Sequence, residues 1–237
     1  MVAVRAVLAE RRFAWLECPV MLPEYPWGNR RDELGVIEEE FDDLCRLHEE
    51  RESGDGWEAE EAVVREQADT EDASEAELTA KVGPGWLEES EECSHGHDHE
   101  HSAMPILEFM RRDLEREPTY ERALAWAAPA FRWAKGEYLA ARHPLLMRAC
   151  LNACLVPMKV SYALNELVHD DTYSLDVADK ELELARTYLS RAVGSLESIR
   201  AEGRSGSIPD AKPVAEAIDE ARARIAKEMR HRKGQAI

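Results

Sequence analysis

The sequence predicts an all-α protein: an antiparallel bundle of four to five helices preceded by an acidic, partly disordered helical N-terminal region. Three observations carry that expectation. Residues 144–169, PLLMRACLNACLVPMKVSYALNELVH, are the longest apolar run and are apolar on almost every face, the mark of a helix enclosed on all sides. Residues 175–199 space their apolar positions by three and four without a break, the rhythm of a helix seam. After Met104 no stretch shows the period of two that a half-buried strand requires. The expected division is residues 1–103 as the acidic region and 104–237 as the bundle domain.

In chain order, residues 2–17 fit a short amphipathic helix, with Val4, Val7, Leu8 and Leu16 set against Arg5, Arg11 and Arg12. Residues 18–29, CPVMLPEYPWGN, hold three prolines and form a non-helical connector. From Asp32 to Glu52, Leu34, Ile37, Phe41, Leu44 and Leu47 mark one helix face, and Gly54-Asp55-Gly56 ends it. Residues 57–92 are rich in Glu, Asp and Ala and poor in large apolar side chains. A chain with so little to bury is expected to be partly disordered. Gly83-Pro84-Gly85 is a break, and Pro105–Glu117 is a short helix carrying Leu107, Met110 and Leu114.

Pro118 opens a helix with Ala123, Trp126, Ala130, Trp133, Ala134 and Tyr138 on one side. Pro144 suits the first position of the next, because its missing N–H costs nothing there. Pro129 and Pro157 lie equally far from His143, so a turn at His143 brings the two interior prolines level. Ser174 caps the following helix, with Asp176 in its first turn. Its seam is Leu175, Ala178, Leu182, Ala185, Leu189, Ala192, Leu196 and Ile199. Ser207 and Asp210 resemble a capping box, starting a last helix with Val214, Ala217, Ala221, Ile225 and Met229, ended by Gly234.

Charge is distributed unevenly. Residues 32–100 hold 26 acidic and 4 basic side chains, whereas the remainder carries a net charge of +3. A block of one sign disfavours nucleic acid or an anionic membrane and favours solvation or a basic protein partner. Arg148, Asn152, Lys159 and Glu166 interrupt the long apolar run, whereas a spanning helix needs about 20 predominantly apolar residues with few charges. The opening residues have arginines within their apolar run and are not expected to be a secretory signal. Five cysteines at irregular spacing suit a reduced, cytoplasmic protein with free thiols.

Three groups can carry chemistry. His95, His97, His99 and His101 follow Cys93 and alternate with Gly, Asp and Glu. Such imidazoles suit Zn, Ni, Co or Cu as divalent ions, and the interleaved carboxylates raise local affinity. The tract resembles the flexible metal-gathering segments of metallochaperone and metal-transport families; it equally fits a solvated linker. Secondly, Glu166/His169 and Glu228/His231 are Glu-x-x-His pairs near helix ends, with Glu121 and Glu181 or Glu183 expected at the same pole. That order resembles the ferritin-like di-iron carboxylate family, a resemblance that implies two irons and oxygen or peroxide chemistry. Thirdly, Met147, Cys150, Cys154 and Met158 form a sulfur stripe on one helix. Soft ligands select Cu(I), and Cys-x-x-x-Cys on a bundle helix resembles the copper-storage four-helix bundles. Buried Cys and gap-filling Met are the plainer account.

The basic tail, Arg222 to Lys233, fits a solvated helix face or a counter-charge to the acidic region. Glycine-rich phosphate loops, Gly-x-Ser-x-Gly and Cys-x-x-Cys do not occur. The expectation is a non-enzymatic interaction or scaffold protein with a metal-binding segment, able to self-associate through helix packing.

Overall fold

The computed structural model describes residues 41–49, 56–83, 117–167, 173–204, 206 and 208–235. Among them every regular element is an α-helix. We label these α1 (41–49), α2 (Trp57–Val82), α3 (Pro118–Ala141), α4 (Pro144–Glu166), α5 (Ser174–Ala201) and α6 (Lys212–Gln235). Several sequence expectations fall outside these residues: the helix at 2–17, the connector at 18–29, the His-rich tract, the helix at 105–116, His169 and Ser207.

The helix at the centre is α4. Pro144 is its first residue, and the His143 side chain accepts a hydrogen bond from the Leu145 N–H at 3.2 Å, satisfying one orphan donor of the first turn. From Leu146 to Val160 all but Arg148 are buried, including the polar Asn152 and Lys159. Both α3 and α4 run on through Pro129 and Pro157. Only Arg142 and His143 separate the two helices. Arg142 takes a left-handed backbone (φ 51°), and its N–H donates to the Tyr138 carbonyl at 2.7 Å. That tight reversal is the turn expected at His143.

Helices α3, α4, α5 and α6 pack in a ring, each against the next and α6 back on α3, while α2 lies on the face shared by α4 and α5. Contacts give the chain sense. Lys159 meets Glu181 and Arg148 meets Ser195, so numbering rises along α4 as it falls along α5. The α5 seam is buried throughout, joined by Tyr188 and Leu184. Trp126 Nε1 donates to the Pro209 carbonyl at 3.2 Å, fastening the loop before α6 onto α3. Asp210 caps α6, accepting from the Lys212 N–H at 3.0 Å. Ser174 proves to be the first residue of α5, with Tyr173 as its cap.

Of residues 57–92, expected to be helical but partly disordered, 57–82 form the ordered 26-residue α2, which corrects the disorder expected there, and 84–92 lie outside the described residues. Glu58 and Glu60 in its first turn and Lys81 in its last complement the helix dipole. Gly83 closes it at φ 89° and donates to the Thr79 carbonyl, a backbone that costs glycine nothing. One hydrophobic cluster takes in Phe41, Leu44 and Val63 together with the cores of α3 to α6, so it runs across the division placed at residue 103. No described helix is long and apolar enough to cross a membrane.

Candidate functional site

The face of α2 that meets the bundle is unusual for a packed helix. Its buried residues are Glu60, Val63, Gln67, Ser74 and Leu78, three polar or charged and only two apolar. Burying charge is unfavourable unless each group finds a partner. Glu60 meets His48 of α1, and the neighbouring carboxylates Glu66, Glu71 and Glu77 meet cations of α4 and α5.

At the centre Lys159 of α4, 4% exposed, lies 2.7 Å from Glu71 of α2 and 3.0 Å from Glu181 of α5. The Tyr188 hydroxyl donates to the other oxygen of Glu71. Burial alone lowers the affinity of the Lys159 ammonium for its proton. The Glu181 and Glu71 carboxylates outweigh that and hold its pKa above the ordinary lysine value. Burial, then the Glu71 charge, pushes the Tyr188 phenol well up. Lys159 is thereby held as an ammonium and Tyr188 as a neutral phenol.

One layer along, Glu66 accepts two bonds from Arg148, Nε at 2.6 Å and Nη2 at 2.7 Å, the bidentate geometry that makes such pairs strong. Arg191 of α5 reaches the same carboxylate at 3.4 Å and donates to Thr70 at 2.9 Å. The bond from Arg148, aided by both guanidinium charges, holds the Glu66 carboxyl below the usual carboxylate range against the effect of burial. In the other direction Lys180 contacts Glu77 at 2.5 Å and Glu183 at 3.2 Å, and Lys81 contacts Asp176 at 2.8 Å. Three pairs thus hold one antiparallel register between α2 and α5: Glu66 with Arg191, Glu77 with Lys180, and Lys81 with Asp176. An open groove of about 590 Å³, lined by Arg65, Asp69, Thr70, Ser74, Lys180 and Thr187 among others, runs along this seam.

At the start of α2 a second polar knot ties in α1. His48 is buried, with Nδ1 3.2 Å from Glu60 and Nε2 3.2 Å from Glu61, and its ring stacks on Trp57 at 5.8 Å. Periodicity pointed to Leu47 as the inward residue, yet Leu47 is half-buried and His48 faces in.

Of the residues singled out in the sequence, Cys93, His95, His97, His99, His101 and His169 lie outside the described part. Glu121, Glu228 and His231 are exposed and Glu166 is half-buried. Glu228 accepts from Arg232 at 3.2 Å, Glu183 from Lys180 and from Arg222 at 3.1 Å, and Glu181 belongs to the Lys159 group. Among the described residues no three His, Cys, Asp or Glu side chains gather as a metal-holding group. The sulfur stripe is in the core: Met147, Cys150, Cys154 and Met158 are all buried, and Cys154 Sγ donates to Met158 Sδ at 3.7 Å.

The seam was missed by motif reading because none of its members forms a motif. A signal existed all the same. Arg148 and Lys159, Lys180 and Arg191, and Glu66 and Glu77 are each eleven residues apart, close to three helical turns, which puts each pair on one face. No family model, curated protein or solved structure matches the chain.

Proposed function

We propose that this is a non-enzymatic cytoplasmic interaction protein, a helical scaffold whose His-rich segment binds a divalent transition metal. The observation that carries the interaction half is the seam. An acidic helix with nine carboxylates and two basic residues is held on a bundle by charge complementarity more than by apolar contact. Charged seams of this kind give register and partner choice more than affinity, which suits recognition. The groups with the chemistry for proton transfer, buried Lys159 and Tyr188 and half-buried Glu71, are matched to one another, and the groove beside them is open and charged. Catalytic pockets are usually enclosed and mostly apolar with a few aimed polar groups.

The metal half rests on Cys93 and the four alternating histidines, His95 to His101, whose donor types suit Zn, Ni, Co or Cu. Two measurements test the reading. Native co-purification of tag-free protein is expected to recover a protein partner without nucleic acid. Metal analysis is expected to find exchangeable Zn or Ni, removed by deleting residues 95–101. Two tightly held irons that are lost on Glu166→Ala would replace this reading with the ferritin-like one.

A further inference from the structure

We propose that the α4/α5 face beneath α2 is a docking site for an acidic amphipathic helix of a protein partner, and that α2 is its resident occupant. The inference rests on the interaction reading above and narrows it to one surface and one chemistry.

The face is built to receive carboxylates. It presents Arg148 and Lys159 from α4 and Lys180 and Arg191 from α5. Glu181 and Glu183, on α5 itself, accompany Lys159 and Lys180. Arg148 and Arg191 take their carboxylate from α2: both meet Glu66. With α2 lifted, these two guanidiniums lose that anion, and the face becomes a cationic strip with the Tyr188 hydroxyl at its centre. A helix carrying acids at the positions of Glu66, Glu71 and Glu77 matches it.

The resident helix is an imperfect fit. Gln67 is 5% exposed, yet among the described residues neither its amide oxygen nor its nitrogen has a hydrogen-bond partner. Asn152 of α4, fully buried, donates to the Arg148 carbonyl at 2.7 Å, while its own Oδ1 has no partner among the described residues. An unmet buried amide weakens the contact that buries it. Val63 and Leu78 are its only buried apolar residues, so its hold on the bundle rests mainly on the charged pairs. A partner helix with an apolar residue at the Gln67 position would bind more tightly than α2 and displace it.

A closed resident reduces the apparent affinity for a competitor by the fraction of chains in which it has lifted. The probe is a fluorescent peptide with the sequence of residues 57–82, titrated into the full chain and followed by anisotropy. The unaltered chain is expected to take it up weakly. Glu66→Ala with Glu71→Ala in the chain, which loosens α2, is expected to strengthen uptake by roughly tenfold or more. That uptake is expected to fall steeply between low and about 0.5 M salt and to be lost when Arg148→Gln and Arg191→Gln are added. A peptide carrying Gln67→Leu is expected to bind several-fold more tightly, and the same change in the chain to exclude the peptide.

Circular dichroism establishes that each variant keeps its helices. A folded Glu66→Ala/Glu71→Ala chain that takes up no peptide overturns the proposal, as does uptake indifferent to the two arginines. Should co-purification recover a partner while the peptide assay fails, this docking site falls and the interaction reading stands.

Discussion

At the scale of single residues, Lys159 decides most. It sits within an otherwise apolar stretch of α4, and only the approach of Glu71 and Glu181 makes its burial tolerable. Removing one member of such a group leaves the others charged and unmatched, a loss of about 3–5 kcal/mol. Lys159→Met is therefore expected to lower stability by about that amount in urea denaturation. Adding Glu71→Gln and Glu181→Gln should recover part of it, because the leftover carboxylates are what cost. Gly206 is the second decisive residue: a Cβ there would overlap the Trp133 indole. Gly206→Ala forces the ring to move and is expected to cost about 1–3 kcal/mol, with a shifted tryptophan fluorescence maximum.

At the scale of the helix, α2 and α6 illustrate two sources of order. Composition leaves α2 too little apolar surface to hold itself on a core by apolar contact alone. The bundle supplies a partner surface whose charges repeat at the same eleven-residue spacing. The seams of α5 and α4 were legible because apolar periodicity is a property of one helix. The register between α2 and α5 belongs to two helices, and no single stretch displays it. α6 is held at its start by the Asp210 cap. Asp210→Ala is expected to cost about 1 kcal/mol and to speed amide exchange in the first turn of α6 while leaving α5 protected.

At the scale of the whole molecule, the seam gives stability a pH dependence of known sign. Glu66 has its pKa below the ordinary 4.5. Its contribution is present above the unfolded value and is lost as pH falls through the folded one. Lys159 has its pKa above 10.5, so its contribution is present below that and is lost as pH climbs through the folded value. Tyr188 acts in the same sense at the alkaline end. Its phenol stays neutral in the fold, and above 10.0 the unfolded chain gains by ionising. The urea midpoint is thus expected to be flat between roughly pH 5 and 9 and to fall on both sides. Glu66→Gln should flatten the acid limb; an unchanged limb would place the acid sensitivity elsewhere.

The amino-acid order by itself determined that the described elements are helical, where α3 to α6 run, that α4 is their enclosed centre and that it turns back at His143. Each of these follows from local physics: apolar spacing, proline at a first turn and the absence of strand alternation. Only the tertiary structure decided that residues 57–82 are an ordered helix, that Lys159 lies inside, and that Arg148 and Arg191 share one glutamate. Those outcomes depend on which charges meet across helices far apart in sequence. Because a buried charge is stable only beside its opposite, the partner and not the residue sets its fate.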